Sequence, residues 1–375
     1  MNDVADRAEQ LFDLTPTDDQ QMMRESMQRF AESELRPAAR DADTAGRAPD
    51  QLLAAAHALG ITLLAVPEAF GGAGSERSPV ANALIAEDLG RGDMALALAM
   101  LSPLGVVNTI VDQGSAWQCE QYLPRFAGDT FVPAATAVME PAAMFDPAAP
   151  ACVARRDGDG YVIDGEKSMV ALSGRAPLML VLAALEDDGP ALFIVEGDAA
   201  GVSISAEPVM GLRALEPGRV RFEGCRVAAS ALLGEAEQRF DLQRFLALSR
   251  LGLGAAAVGV ADGLLAHVID YTNERVAFGE PISHRQSVAF MVANIGIELE
   301  GMRLMVQRAA ARAEQGLDFQ REATLAARFC ADHAMEIGTN GVQLLGGHGF
   351  TQEYLEELWY RHLRAVAIVE GCFSI

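Results

Sequence analysis

The segment 343–371 decides the fold that this sequence predicts: Q-L-L-G-G-H-G-F-T-Q-E-Y-L-E-E-L-W-Y-R-H-L-R-A-V-A-I-V-E-G. A glycine-rich turn leads into an amphipathic stretch, and a single carboxylate, Glu370, then follows the apolar run at 365–369. A carboxylate held against apolar surface is disfavoured as an anion, which makes it a usable proton acceptor near neutral pH. On spacing alone, however, a glutamate at a helix end is more often a solvated cap than a base.

Composition limits the size of the fold and the kind of partner. A chain of 375 residues exceeds the usual single-domain size, so we expect two or three subdomains. Half of the residues are apolar and 22% are charged, which is typical of a soluble enzyme. The formal charge of -23 argues against nucleic acid, which requires clustered Lys and Arg, and against anionic membranes.

Cysteine, histidine and apolar patterns predict no metal and no membrane span. Five cysteines form an odd set without C-x-x-C spacing, and the histidines show no metal-ligand spacing, so we expect neither a disulfide framework nor a metal site. The start of the chain has no basic and apolar signal segment. We expect no uninterrupted apolar run to reach the eighteen or so residues of a membrane span. The resulting prediction is a cytoplasmic protein.

The hydrophobic pattern changes twice along the chain. Apolar positions have helical spacing in the first part, where a helix is predicted over 18–36 with Pro37 ending it. Short β-type runs separated by turns then follow at 161–163, 178–182, 192–195, 202–204 and 219–222. Helical spacing returns from Phe240, with a buried stripe at Met291, Ile295, Leu299, Met302 and Val306.

This order predicts an α+β protein with three domains. We place an all-α domain at 1–130, a β domain at 131–235 and a second helical domain at 236–375. Lys167, the only lysine, lies among the β-type runs. We expect it to fix a β-turn by hydrogen bonds and assign it no chemical role.

Several motifs resemble the acyl-CoA dehydrogenase family in their order and spacing. P-E-A-F-G-G at 67–72 is similar to the family's P-E-x-Y-G-G, and D-G-E-K at 164–167 to its N-G-x-K. E-R-V-A-F-G at 274–279 resembles E-R-x-x-F-G, and 343–371 resembles Q-x-L-G-G-x-G-(F/Y) followed by the catalytic Glu of Y-E-G-T. The resemblance covers essentially the whole chain. It implies the acyl-CoA dehydrogenase fold, with a helical N-terminal domain, a β-sandwich-like middle domain and a C-terminal four-helix-type bundle.

The resemblance implies FAD-dependent α,β-dehydrogenation of an acyl-CoA thioester. Glu370 would take the α-proton and flavin N5 the β-hydride, and the electrons would leave to an electron-transfer flavoprotein. Some family members carry the base directly before the arginine equivalent to Arg250, but Ser249 stands there in this chain. Arg250 is expected near the CoA end of the substrate. Phe145 stands where the family has a residue near the CoA arm.

In the family, FAD lies at a dimer interface and is held by two subunits. A pyrophosphate needs positive charge and close backbone approach, which an arginine and paired glycines supply. The alternative is that the arginine forms a surface ion pair and that the glycines merely end a helix. By resemblance, the half-site that reaches into the neighbouring subunit's FAD consists of Arg275, Phe278, Gln286, Gln343, Gly346 and Gly347.

The residues expected beneath this subunit's own flavin depart from the family pattern. Met139 replaces the threonine of T-E-P, and Met169 and Ala171 replace the Trp and Thr of W-I-T. Methionine can fill space, but none of these side chains can donate the lost hydrogen bonds. We therefore also consider a non-catalytic or half-catalytic subunit that completes a partner's FAD site in a heteromeric acyl-CoA dehydrogenase of lipid or steroid catabolism. A homo- or hetero-oligomeric dimer of dimers is expected, and a flavin oxidase or monooxygenase offshoot is a third alternative.

Overall fold

The computed structural model describes residues 15–186, 188–234 and 240–375, and begins with helices. Two of these helices start with capping boxes, in which Thr17 pairs with Gln20 and Ser115 with Gln118. The helices before the sheet are α1 Asp18–Phe30, α2 Arg36–Ala45, α3 Asp50–Ala58, α4 Ile61–Ala65, α5 Pro79–Gly90, α6 Met94–Gln113 and α7 Ala116–Tyr122.

The prediction that Pro37 ends the first helix is wrong. A π-helical turn, Ala31–Leu35, joins α1 to α2, and Pro37 lies in the first turn of α2. In the wide π turn the Arg36 N–H bonds to the carbonyl of Ala31, five residues back. This widening gives the proline ring room that a regular α-helical turn would deny, so the helix continues. It ends instead at Gly46, whose φ of +63° closes the C-terminus.

Seven strands form one connected sheet in the middle of the chain. Along one edge of β4, residues 178–181 pair with β1 and residues 184–185 pair with β2, both in parallel. The other edge of β4 pairs with β5 in antiparallel. The order β4-β2-β3-β7-β6 extends the sheet from there. The five predicted runs all lie within strands β3 to β7, whereas β1 and β2 were not predicted. The strands are β1 Ala134–Ala137, β2 Val153–Asp157, β3 Gly160–Val170, β4 Leu178–Leu185, β5 Gly189–Glu196, β6 Val202–Ala206 and β7 Gly218–Ala228.

Long helices follow the sheet and pack on one another and on α5. In the predicted stripe of α9, four of the five residues are buried and Met291 is partly buried. α8 crosses α5 so closely that a Cβ on Gly259 would lie 1.9 Å from the carbonyl oxygen of Glu87. The elements are α8 Leu242–Glu274, the hairpin strands β8 Val276–Ala277 and β9 Glu280–Pro281, α9 Gln286–Glu314, α10 Gln320–Leu345 and α11 Glu356–Arg364.

Helices α6 and α8 form the centre of the molecule. Both are long and apolar enough to cross a membrane by length and composition. This corrects the sequence-based statement that no segment reaches that length. However, 94% of the apolar window of α6 and 72% of that of α8 are buried inside the fold. Such burial is typical of core helices, whose apolar residues contact other parts of the same protein.

Candidate active site

Glu370 lies beside α8, where it pairs with Arg250. It follows the short 3₁₀ turn Ala365–Ala367. The Arg250 guanidinium donates from Nε to Oε1 of Glu370 at 3.0 Å and from Nη2 to Oε2 at 2.9 Å. Both side chains are partly exposed, at 30% and 22%. Arg250 is expected from the family resemblance near the CoA end of a substrate, and its contact with the candidate base is not predicted from the sequence.

A cavity of about 140 Å³ adjoins the pair. Its walls come from α8, α10 and the turn before Glu370, and include Leu253, Ala327, Val366 and Val369. Cys330 also lines it, but burial raises the pKa of that thiol to about 12, so it stays protonated and unreactive. The site therefore offers one carboxylate base, paired with Arg250, beside a wall of mostly apolar side chains.

The hairpin after α8 presents Phe278 to solvent. Phe278 and Gly279 form its two-residue loop with φ of +56° and +90°, the arrangement of a type I′ turn. A phenylalanine in this backbone region is strained, and here its side chain is also 94% exposed. The guanidinium of Arg285 covers the ring at 5.3 Å. A strained, exposed aromatic residue favours a role in contact with another molecule.

The other half-site candidates lie at the same end of the helices. Tyr271, one turn before Arg275, bonds His348 at 2.9 Å and so joins the hairpin end of α8 to the turn Gly346–Phe350. All six candidates are exposed, namely Arg275, Phe278, Gln286, Gln343, Gly346 and Gly347.

This surface has room and charge for a phosphate-bearing cofactor. A Cβ on Gly347 would meet no atom within 4 Å, so packing within the chain does not require glycine there. In the described ranges Arg275 has no salt-bridge partner, so the alternative of a surface ion pair has no support. Gly346 does end α10, with φ of +58°. The exposed arginine and open glycine backbone fit the pyrophosphate of FAD.

The residues expected beneath a flavin offer fewer free hydrogen-bonding groups than the half-site residues do. The Met139 carbonyl accepts the Ser168 N–H at 2.9 Å. The Met169 N–H donates to Glu207 at 2.8 Å, and Ala171 is only 2% exposed. These three residues thus lie near the end of β3, but their side chains offer no hydrogen bond and the Met169 amide is already bonded.

Lys167 forms structural hydrogen bonds, as expected, but the backbone that it binds is the irregular segment after β1 rather than a β-turn. Lys167 lies within β3, fully buried, and its Nζ donates to Glu140 at 2.8 Å and to the carbonyl of Val138 at 3.0 Å. Burial lowers the pKa of Lys167. The half-buried ring of Phe145, a predicted substrate contact, lies 5.8 Å from the same Nζ. Lys167 therefore fixes the backbone that leads from β1 to Met139.

A cluster of potential metal-ligand side chains that spans two helices was also not predicted from the sequence. On α9 and α10, one potential metal-ligand atom from each of Glu298, His333 and Glu336 lies within 4.8 Å of the others. Histidine spacing along the chain cannot reveal such a cluster, because its members meet only when the helices pack. It lies apart from the residues that line the cavity at Glu370.

A titratable pair, His267 and Glu356, joins α8 to α11 and gives a pH prediction. The hydrogen bond that His267 donates to the buried Glu356 raises the pKa of His267 above its ordinary 6.5. Stability from this pair is fully present below pH 6.5 and is lost as pH rises through the raised value. We expect the free energy of unfolding to fall across that window, and His267→Gln to flatten the slope measured by urea denaturation. His284→Gln, at an exposed histidine, is the control, and an equal flattening there would contradict the assignment.

The chain matches family models along most of its length. Residues 17–129 match the acyl-CoA dehydrogenase N-terminal domain, 135–225 the middle domain and 241–375 the C-terminal domain. The probable acyl-CoA dehydrogenase fadE25 of Mycobacterium leprae is 34% identical, over 97% of this chain and 95% of that protein.

Two solved structures illustrate the shared fold. The butyryl-CoA dehydrogenase of Megasphaera elsdenii is 28% identical with a TM-score of 0.87, and the alignment covers 95% of each chain. A structure described as the electron transferring flavoprotein of Acidaminococcus fermentans is 29% identical, with the same TM-score and coverage. These matches confirm the predicted fold, the oxidoreductase class and FAD as the cofactor. The chain belongs to the acyl-CoA dehydrogenase family.

Proposed function

We propose that this protein dehydrogenates an acyl-CoA thioester between Cα and Cβ, with Glu370 removing the α-proton. One observation carries the proposal. Of the residues that line the cavity beside α8 in the described part of the chain, Glu370 alone has a carboxylate. A carboxylate held beside apolar side chains such as Leu253 and Val369 suits the removal of a proton from carbon, which is a weak acid.

Glu370 can accept a proton without first leaving Arg250. Oε2 receives two contacts from the guanidinium, at 2.9 and 3.1 Å, whereas Oε1 receives one at 3.0 Å. A carboxylate oxygen has two lone pairs, so Oε1 keeps one for the α-proton. Arg250 meanwhile fixes the orientation of the carboxylate. Bound FAD supplies the acceptor for the hydride that leaves the β-carbon.

The cofactor is proposed to lie between subunits. The six exposed residues of the half-site would hold the FAD of a neighbouring protomer, and Met139, Met169 and Ala171 would lie beneath this protomer's own flavin. The proposed assembly is a homo- or hetero-oligomer, a dimer of dimers, in the cytoplasm. Electrons would pass on to an electron-transfer flavoprotein.

A second function has its own supporting observation. The half-site is exposed and open, whereas beneath the flavin the Met169 amide already bonds Glu207 and Ala171 is buried. This contrast favours a half-catalytic subunit that completes a partner's FAD site. Each lost hydrogen bond to a cofactor weakens its binding by on the order of 1 kcal/mol. The protein expressed alone would then bind FAD poorly.

The visible absorption spectrum of the protein, expressed alone at known concentration, separates these functions. About one flavin per subunit that bleaches without oxygen on addition of acyl-CoA supports the dehydrogenase. A colourless protein that gains flavin in the double variant Met169→Trp, Ala171→Thr supports the half-catalytic subunit. Full flavin content without bleaching by short, long or branched acyl-CoA would contradict the proposed reaction. Rapid reaction of the reduced flavin with oxygen would indicate an oxidase.

A further inference from the structure

The chain after Glu370 runs into the protein. Gly371 turns it with a φ of +68°, and the four residues at 372–375 are between 0% and 7% exposed. Two glycines make space for them. A Cβ on Gly105 of α6 would lie 2.9 Å from the Ser374 nitrogen, and one on Gly252 of α8 would lie 2.7 Å from the Phe373 ring. We call residues 371–375 the anchor segment.

Three buried polar side chains bind the backbone of residues 371–374 in the anchor segment, and the partly buried Arg77 donates to the carbonyl of Ile375. The Thr136 hydroxyl donates to the carbonyl of Gly371. The Ser249 hydroxyl accepts the N–H of Phe373 at 3.3 Å, and the Asn108 amide donates to the carbonyl of Ser374 at 3.0 Å. All three side chains are buried.

These three bonds come from three different parts of the fold. Thr136 belongs to β1, Ser249 to α8 and Asn108 to α6, which lie in the sheet and in the helices on either side of it in sequence. The backbone beside Glu370 is therefore fixed against three elements at once. A base works only when it is held close to its productive geometry, within about 0.5 Å.

We infer that Thr136, Ser249 and Asn108 are positioning residues that fix the location of Glu370; this rests on the proposed function. Thr136 bonds Gly371, the residue directly after the base. Ser249 bonds Phe373, and Asn108 bonds Ser374, which are progressively further along the chain. The effect of removing each bond should decrease in that order. Ser249 thus has a role in this chain at the position where some relatives place their base.

The test uses Thr136→Val, which keeps the shape and removes the hydroxyl, in the assembly in which the wild-type chain turns over acyl-CoA. We expect kcat to fall about 10- to 100-fold, since a small misplacement of a catalytic group has effects of this size. KM and flavin content should change little, and hydrogen exchange of the Phe373 and Ile375 amides should accelerate. Thr136→Ser, which restores the hydroxyl, should recover most of kcat.

The control is Thr109→Val, which removes a buried hydroxyl that bonds only a carbonyl of its own helix, at 2.7 Å. It should keep the wild-type kcat. Faster amide exchange in Thr136→Val without loss of kcat would overturn the inference. Equal losses of kcat in Thr136→Val, Thr136→Ser and Thr109→Val would overturn it as well. If Thr136→Val does not fold, Ser249→Ala is measured in the same way. Glu370→Gln distinguishes failure of the proposed function from failure of the positioning role. Full activity of Glu370→Gln rejects the proposed function. An inactive Glu370→Gln together with a fully active Thr136→Val rejects only the positioning role.

Discussion

Replacing Glu370 with glutamine is expected to lower kcat for acyl-CoA dehydrogenation by about 10²- to 10⁴-fold, the usual contribution of a general base. Glutamine has the same size, and its amide oxygen can still accept a bond from Arg250, so the cavity should keep its shape. The amide cannot take the α-proton. FAD content and thermal stability should therefore stay close to wild type while turnover, measured with an artificial electron acceptor, is lost.

Glu216→Gln is the matched control. The Glu216 carboxylate also pairs with an arginine, Arg175, at 2.8 Å, and its side chain is 17% exposed against 22% for Glu370. It is not part of the cavity wall. It should retain wild-type kcat. A Glu370→Gln enzyme that turns over at the wild-type rate would show that another group removes the proton.

The second large effect concerns stability. Lys167→Met should lower the free energy of unfolding by about 3–5 kcal/mol, because removing one partner of a buried ion pair leaves the other charge without compensation. Glu140 would keep only the amide N–H bonds of Ala151 and Cys152, each at 2.8 Å. The carbonyl of Val138 would also lose its donor. Urea denaturation at neutral pH measures the loss.

Two further variants test the physical reason for this loss. Adding Glu140→Gln to Lys167→Met removes the buried charge but keeps an acceptor for the two amides, so part of the stability should return. Arg155→Met breaks the exposed pair with Asp164, whose side chains are 54% and 37% exposed, and should cost less than about 1 kcal/mol. A loss in Lys167→Met no greater than in Arg155→Met would refute the buried-pair argument.

The strands show which parts of the fold the sequence could predict. β3 to β7 contain runs of branched and aromatic residues and were found. The sequence of β1, A-A-T-A, has almost none of these residues, and β1 becomes a strand only by pairing with 178–181 of β4. The π turn at 31–35 that carries the helix past Pro37 likewise has no marked local pattern. Both errors arise where packing overrides local preference.

The site divides in the same way. The motif at 343–371 located Glu370, and the apolar run before it provides Val366 and Val369 to the cavity wall. The contact with Arg250 joins residues 120 positions apart and has no local signal. The ion pair between Lys167 and Glu140 has no local signal in the sequence either, although Lys167 is the only lysine in a chain rich in arginine. The roles of the FAD half-site residues stay predictions.

Helix α8 connects the candidate base pair at Arg250 to Arg275, a residue of the proposed FAD half-site. Arg250, which holds the candidate base, and Arg275, which is proposed to reach a neighbouring subunit's FAD, are about 37 Å apart at 1.5 Å per residue. A lesion at one end therefore leaves the other end intact. In the proposed assembly, Glu370→Gln and an Arg275 variant would each be inactive alone. In a hybrid dimer of the two variants, the protomer with the intact glutamate would receive an intact arginine from its neighbour. Co-expressing two dead alleles would revive one active centre in each hybrid pair.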